Sequence, residues 1–471
     1  NQNGFTMITE LRAQKFKSWA DTGTMRLAPI TGLFGTNSSG KTSILQLLLL
    51  LKQTVDSSDR QRVLNTGDDR TYVDLGTFFD ILHGHEVPGT LTLALAWALA
   101  PALRITDPSM TQPRTLFSIP ALQFAATITG TNQAITVDRF TYAFPTDDTD
   151  PPQRHTFGME QRSGANGQAR PAYEIVAEGY DLKRRSGRPA ALPPPVKCYS
   201  FPDQVNAYYQ NAGFLADLVL AFEELFNRVF YLGPLREYPQ RDYTWGGERP
   251  QDVGRRGELA VSAMLASRDQ PTVKMGKGNR PTKTVEERVA MWMRDLGLIS
   301  SFSLQPIAEN RKSYEVRVRR TPKSSEVLIT DVGFGVSQIL PVLVLCYYAP
   351  EGATIILEQP EIHLHPRVQA GLADVFIDAM KTRNIQIILE SHSEHLLRRL
   401  QRRIAEEALN PAHAALYFCT TNAQGVSQSE ALQLDPFGNI TNWPKDFFGD
   451  EMGDLLAMTE AAMKRQLGGP Q

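Results

Sequence analysis

"GLFGTNSSGKTSILQLLLLLKQ", residues 32–53, is the stretch from which the rest of the chain is read. Gly35, Gly40, Lys41 and Thr42 satisfy the pattern G-x-x-x-x-G-K-[ST], with Asn37, Ser38, Ser39 and Ser43 completing the loop. Glycines let a backbone curl until several N–H groups point at one anion, and the start of the following helix adds positive potential. Lys41 is then expected to reach the outer phosphates of a nucleotide, and the Thr42 hydroxyl to hold magnesium. The context agrees. "MITELRAQKF" and "GTMRLAP" read as strands, "ITGLFG" as a buried strand feeding the loop, and "SILQLLLLLKQT" as the helix that leaves it.

Composition bounds the answer. A chain of 471 residues has room for two or three domains, and 42% apolar with 21% charged residues places it with globular proteins rather than disordered ones. A net charge of −2 supplies no global field toward nucleic acid or membrane. The cysteines Cys198, Cys346 and Cys419 are far apart, which excludes a disulfide framework and suits a reducing cytoplasm. The apolar runs "ILQLLLLL" and "LTLALAWALAPAL" fall short of the roughly 20 residues that span a bilayer, so no membrane partner is expected. "NQNGFT", before Met7, is unlike a targeting peptide and is left out of the fold argument.

The C-terminal third narrows the nucleotide's use. In "GATIILEQPEIHLHP" (352–366) a buried strand ends in acid, the expected place, beside the loop strand, for a carboxylate that organises magnesium. Glu358 takes that role, directly or through water. In "RNIQIILESHSEHLL" (383–397) a second buried strand ends in Glu390-Ser391-His392-Ser393, where His392 could contact the terminal phosphate. In "LITDVGFGVSQILPVLVLCYY" (328–348), Gly333, Gly335 and Ser337 precede another apolar helix, a second anion-binding helix start. Two such starts for one nucleotide suggest two copies facing head to tail, each supplying half of a closed site.

This four-part order resembles the ABC-type ATPases of the SMC, RecF and OLD group. "GTNSSGKT" looks like Walker A, "DVGFGVSQ" like the signature loop, "ILEQPEIHLHP" like Walker B and "ESHS" like the H-loop. Finer phrases are similar to stand-alone, RecF-like AAA ATPases of bacteria, many encoded in anti-phage defence operons: Tyr72 to Asp80, "YLGPLRE" at 231–237, and Gly438 to Phe448. The resemblance implies an α/β fold, an ABC-type P-loop NTPase head with a mixed sheet and flanking helices. It implies ATP and Mg2+ as cofactors, a homodimer or higher oligomer closed by composite ATP sites, and Gly333, Gly335, Val336, Ser337 and Gln338 facing the partner copy's nucleotide. Two registers fit that loop, Gly333–Gly335 or Gly335–Ser337; the second is favoured because those residues are read as opening the helix.

One departure stands out. The usual acid pair at the end of Walker B is here Glu358-Gln359, and Gln359 can orient water but cannot take its proton. Losing a general base forfeits about 10²–10⁴ in rate. Either Glu361 substitutes fully, or turnover is slow and ATP holds the dimer closed. The expected catalytic set is therefore Glu358, Gln359, Glu361 and His392. His363 and His365, with Glu361 and His392, resemble a metal cluster, yet each also matches the ATPase pattern.

The remaining chain reads as an ATPase N-lobe at 7–90, a β-rich and helical inserted arm at 91–230, a C-lobe at 231–430 and a tail at 431–471. Residues 122–144 and "YEIVAEGYDLKRR" read as hairpins, 107–115, 146–171 and 186–197 as loops, and 214–233 as a helix packed on the head. The basic clusters 183–188, 274–283, 311–320 and 398–403 would form a phosphate track if they lined one groove. The tail offers Trp443, Phe447 and Phe448 as an anchor, to its own head or to a partner, followed by an acidic amphipathic helix. With about 80 residues after His392, no added nuclease domain is expected in this stretch. The expected function is a slowly hydrolysing, dimerising switch or sensor in anti-phage defence, controlling a separately encoded effector. The alternatives are a RecF-like DNA-repair ATPase and a scaffold with structural ATP.

Overall fold

The computed structural model describes residues 5–107, 114–131, 134–146, 153–162, 172–187, 191–268, 283–309 and 311–444, together with 458, 459 and 463. Its centre is a six-stranded sheet in the order Val229–Leu232, Thr354–Glu358, Gln386–Glu390, Ile30–Gly35, Ala414–Thr421, Ser427–Ala431. The first five are parallel and the last antiparallel. "TIILE" and "QIILE" are buried at every position, as a parallel sheet covered on both faces requires. Alternate side chains enter two different cores. Leu33, Ile356, Ile388 and Tyr417 face one; Phe34, Ile355, Leu357, Ile387 and Leu389 face the other.

The first core holds the loop helix, Lys41–Asp56. A helix apolar on all sides must be buried on all sides, and this one is: Leu45, Leu47, Leu48, Leu49, Leu50 and Leu51 are at most 1% exposed. Its polar residues are matched, Lys52 Nζ donating to the Phe226 carbonyl and Gln53 Nε2 to the Asn65 carbonyl. The central sheet covers one side. An antiparallel sheet covers the other, running Trp19–Asp21, Met7–Phe16, Gly89–Asp107, Arg114–Gly130, Ile135–Thr146, Gln153–Gln161, Tyr173–Glu178, with Met25–Arg26 also paired to Met7–Phe16.

The pairing crosses the expected boundary at residue 90. Gly89–Asp107 pairs with Met7–Phe16 from Met7↔Ala98 to Gln14↔Thr92, so the strands after residue 90 continue the sheet begun by the first strand. The apolar run "LTLALAWALAPAL" lies on this strand, and no helix among the described residues is long and apolar enough to cross a membrane. The hairpin expected over 122–144 is the Arg114–Gly130/Ile135–Thr146 pair. One expectation needs correcting: residues 153–161, read within a loop, form a strand. Its inward side chains, His155, Phe157 and Met159, are buried among aromatic neighbours; the alternation they make with Thr156, Gly158 and Glu160 contains only two apolar residues and lies inside a polar, Pro- and Gly-containing stretch. The helix expected over 214–233 spans Leu215–Asn227 and gives way to the edge strand Val229–Leu232.

The second core packs the helices Phe334–Tyr348, Pro366–Arg383 and Glu394–Ala405 on the opposite face. The helix Pro366–Arg383 carries the chain from the Thr354–Glu358 strand to Gln386–Glu390, which settles between it and Ile30–Gly35. This corrects the expected neighbourhood: the strand beside the loop strand ends in Glu390, and Glu358 lies one strand further away. The start of the tail packs on its own head. Gln401 Nε2 donates to the Gly438 carbonyl, Ile440 is buried, and the Arg398 guanidinium lies 4.4 Å from the Trp443 ring centroid. Phe447, Phe448 and most of the expected acidic helix lie outside the described residues.

Candidate functional site

The loop between Ile30–Gly35 and Lys41–Asp56 is held where only glycine fits. Gly35 has φ +130°, and a Cβ there would lie 2.0 Å from the Cys419 carbonyl oxygen of the neighbouring strand. Gly40, at φ +84°, precedes the helix, and its carbonyl accepts from the Trp19 indole at 3.0 Å. Thr36, Asn37 and Ser38 are exposed at the rim, while Ser39 is buried and donates to the Thr36 carbonyl at 2.8 Å. No side chain caps the helix start and no acid occupies its first turn, so its leading amides and positive end are available to an anion. Lys41 is 3% exposed. Its ammonium donates to the carbonyls of Gly35 at 3.2 Å and Thr36 at 2.6 Å, inside its own loop. Burial lowers its pKa, against the attraction of Glu390 and Glu361. Ser43 is buried in the first helical turn.

Three buried carboxylates stand at the ends of the adjoining strands. Glu390 Oε2 accepts from the Thr42 hydroxyl at 2.6 Å. Glu358 sits in register with Glu390 across the parallel pair, and its Oε1 accepts from the Tyr231 hydroxyl at 3.0 Å. Glu361 Oε1 accepts from the His392 amide at 2.7 Å, while Oε2 is buried without a hydrogen-bond partner. The turn between Glu358 and Glu361 is strained, since Gln359 adopts φ +44° and is pinned by its N–H to the Glu390 carbonyl at 2.9 Å. The His392 ring lies near the Gly35 backbone and Lys41; desolvation and the Lys41 charge lower its pKa. Loop amides, a lysine and hard oxygen donors suit a magnesium-bound nucleotide. Among the described residues no three of His, Cys, Asp and Glu are grouped to hold a metal. Thr42, Glu390 and Glu358 would be the protein's share.

Burial and the neighbouring Glu390 raise the Glu358 carboxyl to about 7, against the Tyr231 hydrogen bond and the Arg236 charge. A native pKa above the unfolded value near 4.5 means that the proton's stabilising contribution is complete below about 4.5 and is lost as pH rises through about 7. Without metal and nucleotide at pH 8, the charged carboxylate therefore costs about 3 kcal/mol relative to its neutral form. Glu358→Gln keeps an acceptor for Tyr231 and removes the charge. Calorimetry is expected to show a melting temperature a few degrees higher at pH 8 and nearly unchanged at pH 5; equal shifts at both pH values would contradict the assignment.

The second helix start differs from its sequence reading in detail. Gly333 is the N-cap of Phe334–Tyr348, with no side-chain cap. Gly335 therefore lies in the first turn, next to the His363 carbonyl and Leu364. Ser337 is buried one residue beyond Val336, and its hydroxyl donates to the Phe334 carbonyl at 2.8 Å. The end presented outward is Gly333 to Gly335, because Gly333 and Phe334 are exposed and Gly335 is half-buried, whereas Val336 and Ser337 are buried. Gln338 is buried, its Nε2 unpaired. Phe334, 39% exposed, packs edge-on against His363 and near Tyr238. His365 Nδ1 accepts from the Arg367 amide and caps the helix Pro366–Arg383.

The strand order decides the fold: a phosphate-loop strand flanked by the Glu390 strand, then the Glu358 strand, with the glycine-started helix on the opposite face from the loop helix. The fold is that of an ABC-type P-loop NTPase head. Residues 297–398 of this head match the family model described as "AAA domain, putative AbiEii toxin, Type IV TA system". That segment contains Gly333 to Gln338, Glu358 to Glu361 and His392. Residues 409–458 match a family described only as a protein of unknown function, DUF3696. No curated protein matches the chain. Solved structures that align with it include an SMC head domain from Thermotoga maritima, at 9% identity and TM-score 0.38, covering 90% of this chain and 99% of that one. An SMC head bound to the C-terminal winged-helix domain of ScpA aligns at 9% identity and TM-score 0.44, covering 91% and 98%. An SMC head with an extended coiled coil, bound to a ScpA domain and derived from Pyrococcus furiosus, aligns at 8% and 0.42, covering 98% and 100%.

Three residues of the ABC-type head escaped the sequence reading: Glu390, Tyr231 and Arg236. Tyr231 and Arg236 belong to the quoted phrase "YLGPLRE", whose site role shows only once its strand lies beside Glu358. The basic clusters also change meaning. Arg398 pairs with Glu394, Arg399 with Asp374, Arg402 with Glu406, and Arg403 with Asp374 and Glu406. Most of 274–283 lies outside the described residues.

Proposed function

We propose that the chain is an ATP-driven molecular switch: the Lys41 loop of one copy and the Gly333–Gly335 turn of a second copy close on the same nucleotide. The observation that carries this reading is the separation of two uncapped helix starts within one subunit. The helix Lys41–Asp56 packs in the core on one face of the central sheet and the helix Phe334–Tyr348 in the core on the other. A ligand that touches both subunits stabilises the closed pair by its differential affinity for that state. Within each site, Lys41 and the loop amides hold the phosphates, and Thr42, Glu390 and Glu358 orient the magnesium ion. Glu361 takes a proton from water that Gln359 and His392 help to position. With one buried base held by a strained turn and no acid at 359, hydrolysis is slow and the closed state persists.

The switch controls a separate effector, in keeping with the toxin–antitoxin description of the family matched at 297–398 and with the phrases shared with stand-alone defence ATPases. Direct DNA tracking is the weaker reading, because the arginines of 398–403 are engaged by carboxylates of their own head. Sedimentation of the full chain with ATP, ADP or neither tests the reading. Dimers with ATP alone, and turnover below roughly 10 s⁻¹, the ordinary enzyme median, are expected. A monomer under all conditions, or fast turnover, would overturn it.

A further inference from the structure

Tyr231 is 6% exposed and takes no part in the mechanism above. It lies on the edge strand Val229–Leu232, in register with Ile356 of the neighbouring strand Thr354–Glu358. Side chains alternate along a strand, so Ile356 and Glu358 share a face, and Tyr231 reaches along that face to the strand end. There its hydroxyl donates to Glu358 Oε1 at 3.0 Å. The ring is held from behind. Tyr72 packs edge-on against it with centroids 6.4 Å apart, and the Lys52 ammonium lies 5.2 Å from the Tyr72 centroid. Lys52 belongs to the same helix as Lys41 and Thr42, and donates to the Phe226 carbonyl. Gly233 leaves room for the hydroxyl, since a Cβ there would lie 3.0 Å from its oxygen.

A carboxylate offers two oxygens, and a cation can take one or both. Here one of the two is already engaged. A hydrogen bond to a charged acceptor is among the stronger ones in a protein, and this donor is buried, with its ring packed in place. Oε1 is therefore committed to Tyr231, and Oε2 is left for a metal. Cations differ in what they ask of such a group. Calcium gathers six to eight oxygens in flexible geometry and readily takes both oxygens of one carboxylate. Magnesium is smaller, demands a near-ideal octahedron and keeps several waters.

We propose that Tyr231 is a specificity-determining residue of the nucleotide site: by holding Oε1 it limits Glu358 to one metal-facing oxygen, which favours magnesium over calcium. Tyr231 acts through Glu358 and is a positioning residue. The inference rests on the nucleotide reading above and adds to it the choice of cation.

Calorimetric titration of the full chain with a non-hydrolysable triphosphate analogue tests it, in saturating magnesium, in saturating calcium and in EDTA. The gain in affinity over EDTA reads each cation's contribution without any turnover. Wild type is expected to gain more from magnesium than from calcium. Tyr231→Phe keeps the ring and its packing on Tyr72 and removes one oxygen atom. The ratio of calcium gain to magnesium gain is expected to rise roughly 10-fold in this variant, the lower end of what a hydrogen bond to a charged group is worth. A change in the proton affinity of the carboxylate enters both gains alike and cancels in the ratio. A merely structural role would lower both gains together and leave the ratio where it was. An unchanged ratio, or a wild type with no preference for magnesium, would overturn the inference. Wild-type protein that binds the analogue in none of the three conditions would instead overturn the reading on which it rests.

Discussion

Replacing Lys41 by alanine is expected to remove nucleotide binding, the largest single effect foreseen here. The ammonium is the cation buried inside the phosphate loop, and it donates to the Gly35 and Thr36 carbonyls and, at 3.4 Å, faces the Ser39 hydroxyl. Those partners are weak holders for a charge, and phosphate oxygens are stronger ones. Losing two or more charge-assisted contacts of about 1.5–3 kcal/mol each lowers affinity by at least about 10²–10³-fold. The variant should fold, because Lys41 contributes nothing to either apolar core. Titration with magnesium and ATP reads the result; affinity near wild type would mean that the loop does not hold the phosphates.

The second large effect is kinetic. Glu361→Gln is expected to keep ATP binding while lowering turnover by about 10²–10⁴-fold, the usual share of a general base. Burial raises the Glu361 pKa, against its hydrogen bond from the His392 amide. A raised pKa makes a better base than an ordinary surface carboxylate, and the unpaired Oε2 is free to accept a proton. Gln359→Ala, by contrast, should cost far less, since its amide can only orient water. ATP-closed dimers should accumulate in the Glu361 variant. Unchanged turnover there would assign the base elsewhere.

How much of this was visible beforehand depended on distance along the chain. The Lys41 loop and its helix were legible because glycine spacing, the lysine and the apolar run are local signals. Glu358, Glu361 and His392 were legible as strand ends, but their neighbours were not. Thr42 meets Glu390 across 348 residues and Glu358 meets Tyr231 across 127, and no short window of sequence contains such a pair. The strand at 153–161 was missed because its alternating run carries only two apolar residues, Phe157 and Met159, within a polar, Pro- and Gly-containing stretch. The 398–403 cluster reads as free positive charge until Asp374, from another helix, is seen to neutralise it. Gly335 to Ser337 were expected to open the helix; it opens one residue earlier, at Phe334 after the Gly333 cap, and the Ser337 hydroxyl turns back to the Phe334 carbonyl.

The account turns on a site shared between two copies, and a mixing experiment addresses that directly. Gly335→Asp places a negative charge at the outward helix start, and the nearest atoms to a side chain there, the His363 carbonyl and Leu364, are 3.6 Å away, so the fold should accept it. Alone, Gly335→Asp and Lys41→Ala should each be inactive as ATPases. Mixed, they form heterodimers with one intact site, made from the Lys41 loop of the first and the Gly335 turn of the second. Recovery of ATP hydrolysis on mixing is the result expected, and two inactive variants that stay inactive together, while each remains folded and able to pair, would contradict it.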